Sequence, residues 1–170
     1  EPHAVLFPMM QYSDIIFGDQ NEWEVASGVP HIPFEALDEN YVIDREAYLS
    51  YFRKMHRLFS KCKKMVMAVR NQIASSHHTL SGLLYDTVED QLYTTRIYDI
   101  QPIVDPMGVG DAFIAAYIHA HQKWGDENQY CLDFSLSASA IKNTIPGDQN
   151  LVSEEEIISN MTSSGGRIQR

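Results

Sequence analysis

Residues 105–113 read Asp105-Pro106-Met107-Gly108-Val109-Gly110-Asp111-Ala112-Phe113. The stretch joins a strand end to a helix start through two glycines, and that junction decides how the rest of the chain is read. Backbone N–H groups at a helix N-terminus have no intrahelical acceptor and sit at the positive end of the helix dipole. Glycines remove the side chains that would hold an anion away, so Gly108, Val109 and Gly110 form a candidate anion cradle. Asp111 then places a carboxylate beside that cradle, where it repels phosphate unless it has a task such as taking a proton from a hydroxyl group. A tight turn at Gly108 and Gly110, with Asp111 as an ordinary acid in a first helical turn, is the plainer alternative.

Outward from this junction the chain alternates strand and helix patterns. Downstream, the pattern predicts helices over 109–124 (buried face Phe113, Ala116, Tyr117, Ala120, Trp124), 130–143 and 153–161. The second of these carries Ser135, Ser137, Ala138, Ser139 and Ala140, a face small enough for close approach of a helix or a ligand. Upstream, 64–70 reads as a buried strand around the uninterrupted apolar run 65–69, and 81–85 and 91–98 flank a polar turn as a hairpin. Residues 100–104 are read as a last strand broken by Pro102. Nearer the start, a helix at 2–10 leads into a strand at 14–18, a short helix at 21–27 stops at Gly28, and 29–33 is a proline-bearing loop. Asp44 caps a helix with Tyr48, Tyr51, Phe52, Met55, Leu58 and Phe59 on its apolar face, and its basic residues read as a solvated face. Interleaved strands and helices indicate α/β layering.

Composition narrows the function. The 170 residues are 44% hydrophobic with a formal net charge of −10. That is enough apolar material for one core, and the charge disfavours a phosphate backbone as partner, so no nucleic acid is expected. No apolar run approaches the length of a membrane span. Cys62 and Cys131 lack metal-site spacing and read as reduced thiols, which suits a cytoplasmic protein. His77-His78 also lacks ligand spacing and reads as part of a loop. The chain begins at Glu1 in place of Met, so a trimmed or processed piece is expected.

The junction resembles the C-terminal signature of the ribokinase-like, or PfkB, carbohydrate kinases, Asp-Thr/Pro-x-Gly-Ala-Gly-Asp-x-Phe, with Val109 in place of the usual Ala. Asn21-Glu22-Trp23-Glu24, just after the first strand, is similar to the family's Asn-x-x-Glu element, although Asn21 as a helix cap with Glu24 at its third position is an equally good local reading. Residues 139–150, with Lys142-Asn143-Thr144-Ile145-Pro146-Gly147-Asp148, resemble the helix and loop beside the adenine. Asn143 as a helix C-cap is the alternative there. Together with residues 14–18, 81–85, 103–105 and 145–148, the likeness is strongest to the 2-keto-3-deoxygluconate kinases.

The resemblance implies a ribokinase-like three-layer sandwich with a central, mostly parallel sheet flanked by helices. It implies Asp111 as catalytic base, Gly108, Val109 and Gly110 as anion hole, and Asn21 and Glu24 as supports of Mg²⁺ through water. Asn143 and Arg70 are its candidate nucleotide contacts, Arg70 being equally a surface residue at a strand end. ATP is the implied phosphoryl donor and a sugar or sugar acid the acceptor, with a monovalent-cation requirement left open. Two departures stand out. Where the family commonly follows the buried strand with a Lys/Thr-x-Gly-x-x-Gly loop, this sequence reads Val69-Arg70-Asn71-Gln72-Ile73-Ala74-Ser75-Ser76, and the family's sugar-binding N-terminal half is absent. Residues 1–162 are therefore expected to be the nucleotide-side part of a kinase domain, with its missing half as partner, self-association left open, and 163–170 as a flexible tail. A non-catalytic relative that binds a nucleotide or partner, or a kinase of another sugar such as fructose, is the competing expectation.

Overall fold

A computed structural model describes residues 2–33 and 41–163. The expected tail lies outside the described residues except for Ser163. The helices are α1 (Pro2–Met10), α2 (Gln20–Ser27), α3 (Arg45–Leu58), α4 (Val109–Trp124), α5 (Asn128–Lys142) and α6 (Glu154–Thr162). The strands are β1 (Ile15–Gly18), β2 (Lys64–Ala74), β3 (His77–Asp86), β4 (Gln91–Thr94) and β5 (Tyr98–Ile100). The sheet runs β1-β2-β3-β4, with β5 also on β3.

Alternation of side chains along the strands divides the core in two. Met65, Met67 and Val69 of β2, with Leu83 and Tyr85 of β3, pack against Trp23 of α2 and Tyr48, Tyr51, Phe52 and Met55 of α3. Val66, Leu80 and Leu84 point the other way, onto Phe113, Ala116 and Tyr117 of α4 and Leu132, Leu136 and Ala140 of α5. A sheet covered by helices on both faces is the α/β sandwich anticipated from the sequence. Leu58 falls outside the apolar face expected of α3 and is 38% exposed.

The sheet is mixed, which corrects the expectation of a mostly parallel one. Among the described residues only β1 and β2 are parallel, whereas β2-β3, β3-β4 and β3-β5 are antiparallel. The cause is local: β2 and β3 are joined by Ser75 and Ser76 alone, a link too short for a crossover, and β3 and β4 by a turn. In that turn the Asp86 carboxylate accepts the N–H groups of Val88 and Glu89 at 2.9 and 3.1 Å. His77 and His78 are therefore strand residues and not a loop, and His77 pairs with Asp99 of β5.

The strand expected over 91–98 stops at Thr94, the partner of Leu83, because at the next step the Gly82 N–H is taken by the Thr95 hydroxyl in place of a backbone carbonyl. Thr95 bonds to Gly82 through both its backbone N–H and its side chain, and β5 then resumes the pairing with β3 at Tyr98. The strand expected over 100–104 ends at Ile100, since Pro102 offers no N–H to a ladder. Gly82 also serves the packing, as a Cβ there would come within 3.2 Å of Leu132 on α5.

Helix packing on the α4 side depends on the small face of α5. Ser135 donates to the Phe113 carbonyl, Ser139 to the Val109 carbonyl at 3.0 Å and Ser137 to the Ile157 carbonyl of α6 at 2.8 Å. What approaches that face is therefore a pair of helices, and three buried hydroxyls are satisfied by it.

Candidate functional site

Strand directions gather the candidate residues at one end of the sheet. β1 and β2 run together, β3 opposes them, and β5 opposes β3, so β1, β2 and β5 share one direction. α2 leaves the carboxyl end of β1 at once, and α4 leaves the loop that follows β5. Arg70 lies on β2 three residues beyond Met67, the partner of Gly18, and so reaches the same end. The carboxyl ends of strands are where open α/β sheets bind ligands.

The loop before α4 is held from three sides. Gly108 caps the helix with φ 75°, and a Cβ there would meet the Asp148 carbonyl oxygen at 2.1 Å, so glycine is required by conformation and by space. Asp105 accepts the N–H groups of Met107 and Gly147, both at 2.9 Å, and these bonds hold its carboxyl below the usual carboxylate range. The Asn143 carbonyl accepts the N–H groups of Val104 and Asp105 at 2.8 and 3.2 Å. The turn at 105–108 is thus bound to the end of α5 and the segment after it.

α4 presents its first turn open. No side chain caps it, in contrast to α2, α3 and α6, which Asp19, Asp44 and Ser153 cap. The first hydrogen bond of the helix runs from the Ala112 N–H to the Gly108 carbonyl at 2.9 Å, leaving the amides of Val109, Gly110 and Asp111 without intrahelical acceptors. A Cβ at Gly110 would meet nothing within 4 Å. Asp111 is exposed in the same turn, and no hydrogen bond occupies its carboxylate among the described residues. Free donors and a free carboxylate side by side can hold an anion and accept a proton.

Asn21 and Glu24 belong to the interior of α2, which settles the capping question against Asn21. Asp19 is the cap, and Asp19 and Glu22 form the reciprocal capping box. Asn21 is exposed; Glu24 is half-exposed, and its Oε2 accepts the His31 N–H at 3.1 Å and meets His31 Nδ1. These contacts hold the Glu24 carboxyl below its ordinary range. Its Oε1 takes no hydrogen bond among the described residues, and no three His, Cys, Asp or Glu side chains gather there around a metal position. One free carboxylate oxygen and one amide suit a hydrated Mg²⁺ held through water. Phe17 of β1 packs edge-on against Tyr117 of α4, with ring centroids 5.3 Å apart, so the strand that leads into α2 lies beside the helix that carries the cradle.

Arg70 is exposed, and its guanidinium forms no hydrogen bond among the described residues, although its charge is felt by His78. Asn143 is the C-cap of α5, 2% exposed, with its side-chain amide donating to the Ser139 carbonyl at 3.0 Å. Sequence reasoning singled out neither Lys142, fully buried behind the loop, nor His31 against Glu24. The only signal for Lys142 was a cation closing the apolar run Ala138-Ser139-Ala140-Ile141, which reads as a solvated helix end.

No family model and no curated protein matches the sequence. Solved structures do. A 2-dehydro-3-deoxygluconokinase from Thermotoga maritima is 28% identical with a TM-score of 0.81, over 95% of this chain and 45% of that one. A PfkB family carbohydrate kinase from Listeria grayi is 23% identical with a TM-score of 0.73, over 91% of this chain and 43% of that one. Arabidopsis thaliana ribokinase, solved with ribose and ATP, is 17% identical with a TM-score of 0.60, over 93% and 44%. The chain thus spans less than half the length of each of these neighbours, and over that length it has the fold of these carbohydrate kinases.

Proposed function

We propose that this chain is the nucleotide-side, C-terminal part of an ATP-dependent sugar or sugar-acid kinase, with 2-keto-3-deoxygluconate as the favoured acceptor. The observation that carries the reading is the uncapped first turn of α4, with its orphan amides beside the unoccupied Asp111 carboxylate, in a fold shared with a 2-dehydro-3-deoxygluconokinase. In this reading the amides of Val109, Gly110 and Asp111 bind the phosphoryl oxygens, where negative charge concentrates during transfer, and their fixed placement avoids reorganisation at that moment. Asp111 accepts the proton of the attacking hydroxyl. Arg70 faces the phosphates of the nucleotide, and Asn143 serves the site by bracing residues 104 and 105. Asn21 and Glu24 would hold Mg²⁺ through its water shell, and the ion would supply charge neutralisation on the phosphates.

Half of a kinase retains one half of a site. The chain alone is expected to bind ADP but not to phosphorylate a sugar, since the acceptor-binding half lies elsewhere. Calorimetry with ADP and a coupled assay with ATP and a panel of sugar acids and sugars test this, on the chain alone and on the intact protein. Turnover of 2-keto-3-deoxygluconate by the intact protein only is the expected result. Sugar phosphorylation by the 170 residues alone would place the acceptor site within them and overturn the half-site reading. ADP binding with no turnover of any acceptor, even in the intact protein, would favour a non-catalytic nucleotide binder.

A further inference from the structure

Lys142, the last residue of α5, is 0% exposed. Its Nζ donates to the Ile145 carbonyl at 3.0 Å and lies 3.4 Å from the Asp105 carbonyl, and it forms no salt bridge among the described residues. Burying an ammonium costs several kcal/mol, and carbonyl dipoles alone offset this poorly. A methionine of similar length would fill the space without that cost, so packing does not account for a charge here.

What the charge faces is an anion site crowded with acids. Asp105 and Asp111 lie on either side of Gly108, Val109 and Gly110, and the backbone of Asp148 lies against Gly108. The Lys142 ammonium lies against the Asp105 carbonyl, and its field helps to hold the Asp105 carboxylate ionised. An ionised Asp105 repels a phosphate at the neighbouring amides unless a cation offsets its field. We propose that Lys142 is a positioning residue for the cradle: its buried charge balances Asp105, and its bonds to the Asp105 and Ile145 carbonyls keep the amides of residues 109–111 aimed at a phosphate. This rests on the nucleotide reading of the site, and it names a group that acts on the phosphate chain while touching neither nucleotide nor acceptor.

The test separates charge from packing by comparing ADP with adenosine, which lacks phosphates, through calorimetry on the intact protein. Lys142→Met is expected to weaken ADP about tenfold or more while adenosine stays within about twofold. The double variant Lys142→Met with Asp105→Asn, which leaves no uncompensated carboxylate, is expected to recover most of the lost ADP preference. Equal weakening of ADP and adenosine, or ADP binding unaffected by Lys142→Met, would overturn the proposal and leave Lys142 a tether. Should the single variant fail to fold, the double variant decides: a ratio of ADP to adenosine affinity near that of the unmodified protein supports charge balance, and a collapsed ratio overturns it. Absence of ADP affinity in the unmodified protein would overturn the nucleotide reading itself, an outcome distinct from an unchanged ratio.

Discussion

Gly108 and Gly110 stand two residues apart and meet opposite demands. At Gly108 the backbone is left-handed and a methyl group would strike the Asp148 carbonyl oxygen. Gly108→Ala is therefore expected to destabilise the fold by about 2 kcal/mol or more, from strain and from displacement of the 148 segment. At Gly110 the backbone is helical and the space is open, so Gly110→Ala is expected to keep or raise the melting temperature. Its methyl group would stand where a phosphate approaches the amides, and ADP affinity is expected to fall. Thermal melts and ADP titrations on the two variants check this crossed pattern; a Gly110→Ala variant that binds ADP as before would remove the cradle from its assigned place. The sequence showed both glycines, yet the different reason for each was hidden because Asp148 lies 40 residues away along the chain.

At the scale of elements, α4 and α5 adhere through small residues in place of large apolar ones. The Ser135 hydroxyl is buried against the Phe113 carbonyl, so a leucine at 135 would overpack the contact and push α4 outward. Ser135→Leu is expected to cost roughly 2–3 kcal/mol in chemical denaturation, and a cost under about 0.5 kcal/mol would show that the two helices are not closely packed there. Helix α4 was legible to the residue because its apolar spacing, glycine entry and Gly125 exit agree. The strands were harder to bound. β2 runs on past Arg70, where the sequence reading ended the strand, into Asn71 and Gln72, polar residues that pair with Thr79 and His78 of β3. Sheet direction was missed for the same reason: with one strand ended at Arg70, His77-His78 read as part of a loop and the next strand begun at Ser81, the two-residue link that dictates antiparallel pairing is invisible.

In the molecule as a whole, the end of the sheet away from the site is closed by a buried polar cluster. Lys64, 6% exposed, bonds Asp86 at 3.3 Å and Asp126 at 2.9 Å and meets the Asn128 side chain. Burial pushes the Asp86 carboxyl up, but the N–H groups of Glu89, Asn128 and Val88 and the Lys64 ammonium outweigh it and leave the group below its ordinary value. A carboxyl lowered in the folded state contributes stability above its unfolded value, about 3.9, and loses it as pH falls through the folded value. Acid unfolding is therefore expected below about pH 4, and Asp86→Asn is expected to cost about 3 kcal/mol at neutral pH by leaving Lys64 undercompensated, with a flatter acid limb in its pH-stability profile. An unchanged acid limb would assign acid unfolding to other groups. The two thiols give an independent check of compactness. Both are buried, and burial raises Cys62 to about 11 and moves Cys131 in the same direction. Neither is expected to react with iodoacetamide at pH 8 in the folded chain, and both should react in denaturant.

The central claim is that Asp111 is the base of a phosphoryl-transfer site. Asp111→Asn keeps the shape of the first turn of α4 and removes the proton acceptor, so in the intact protein, with ATP and 2-keto-3-deoxygluconate, turnover is expected to fall by about 10²-fold or more while ADP affinity stays within about twofold. Turnover within about tenfold of the unmodified protein, at equal stability, would contradict the account and return Asp111 to the plainer role of an acid at a helix start.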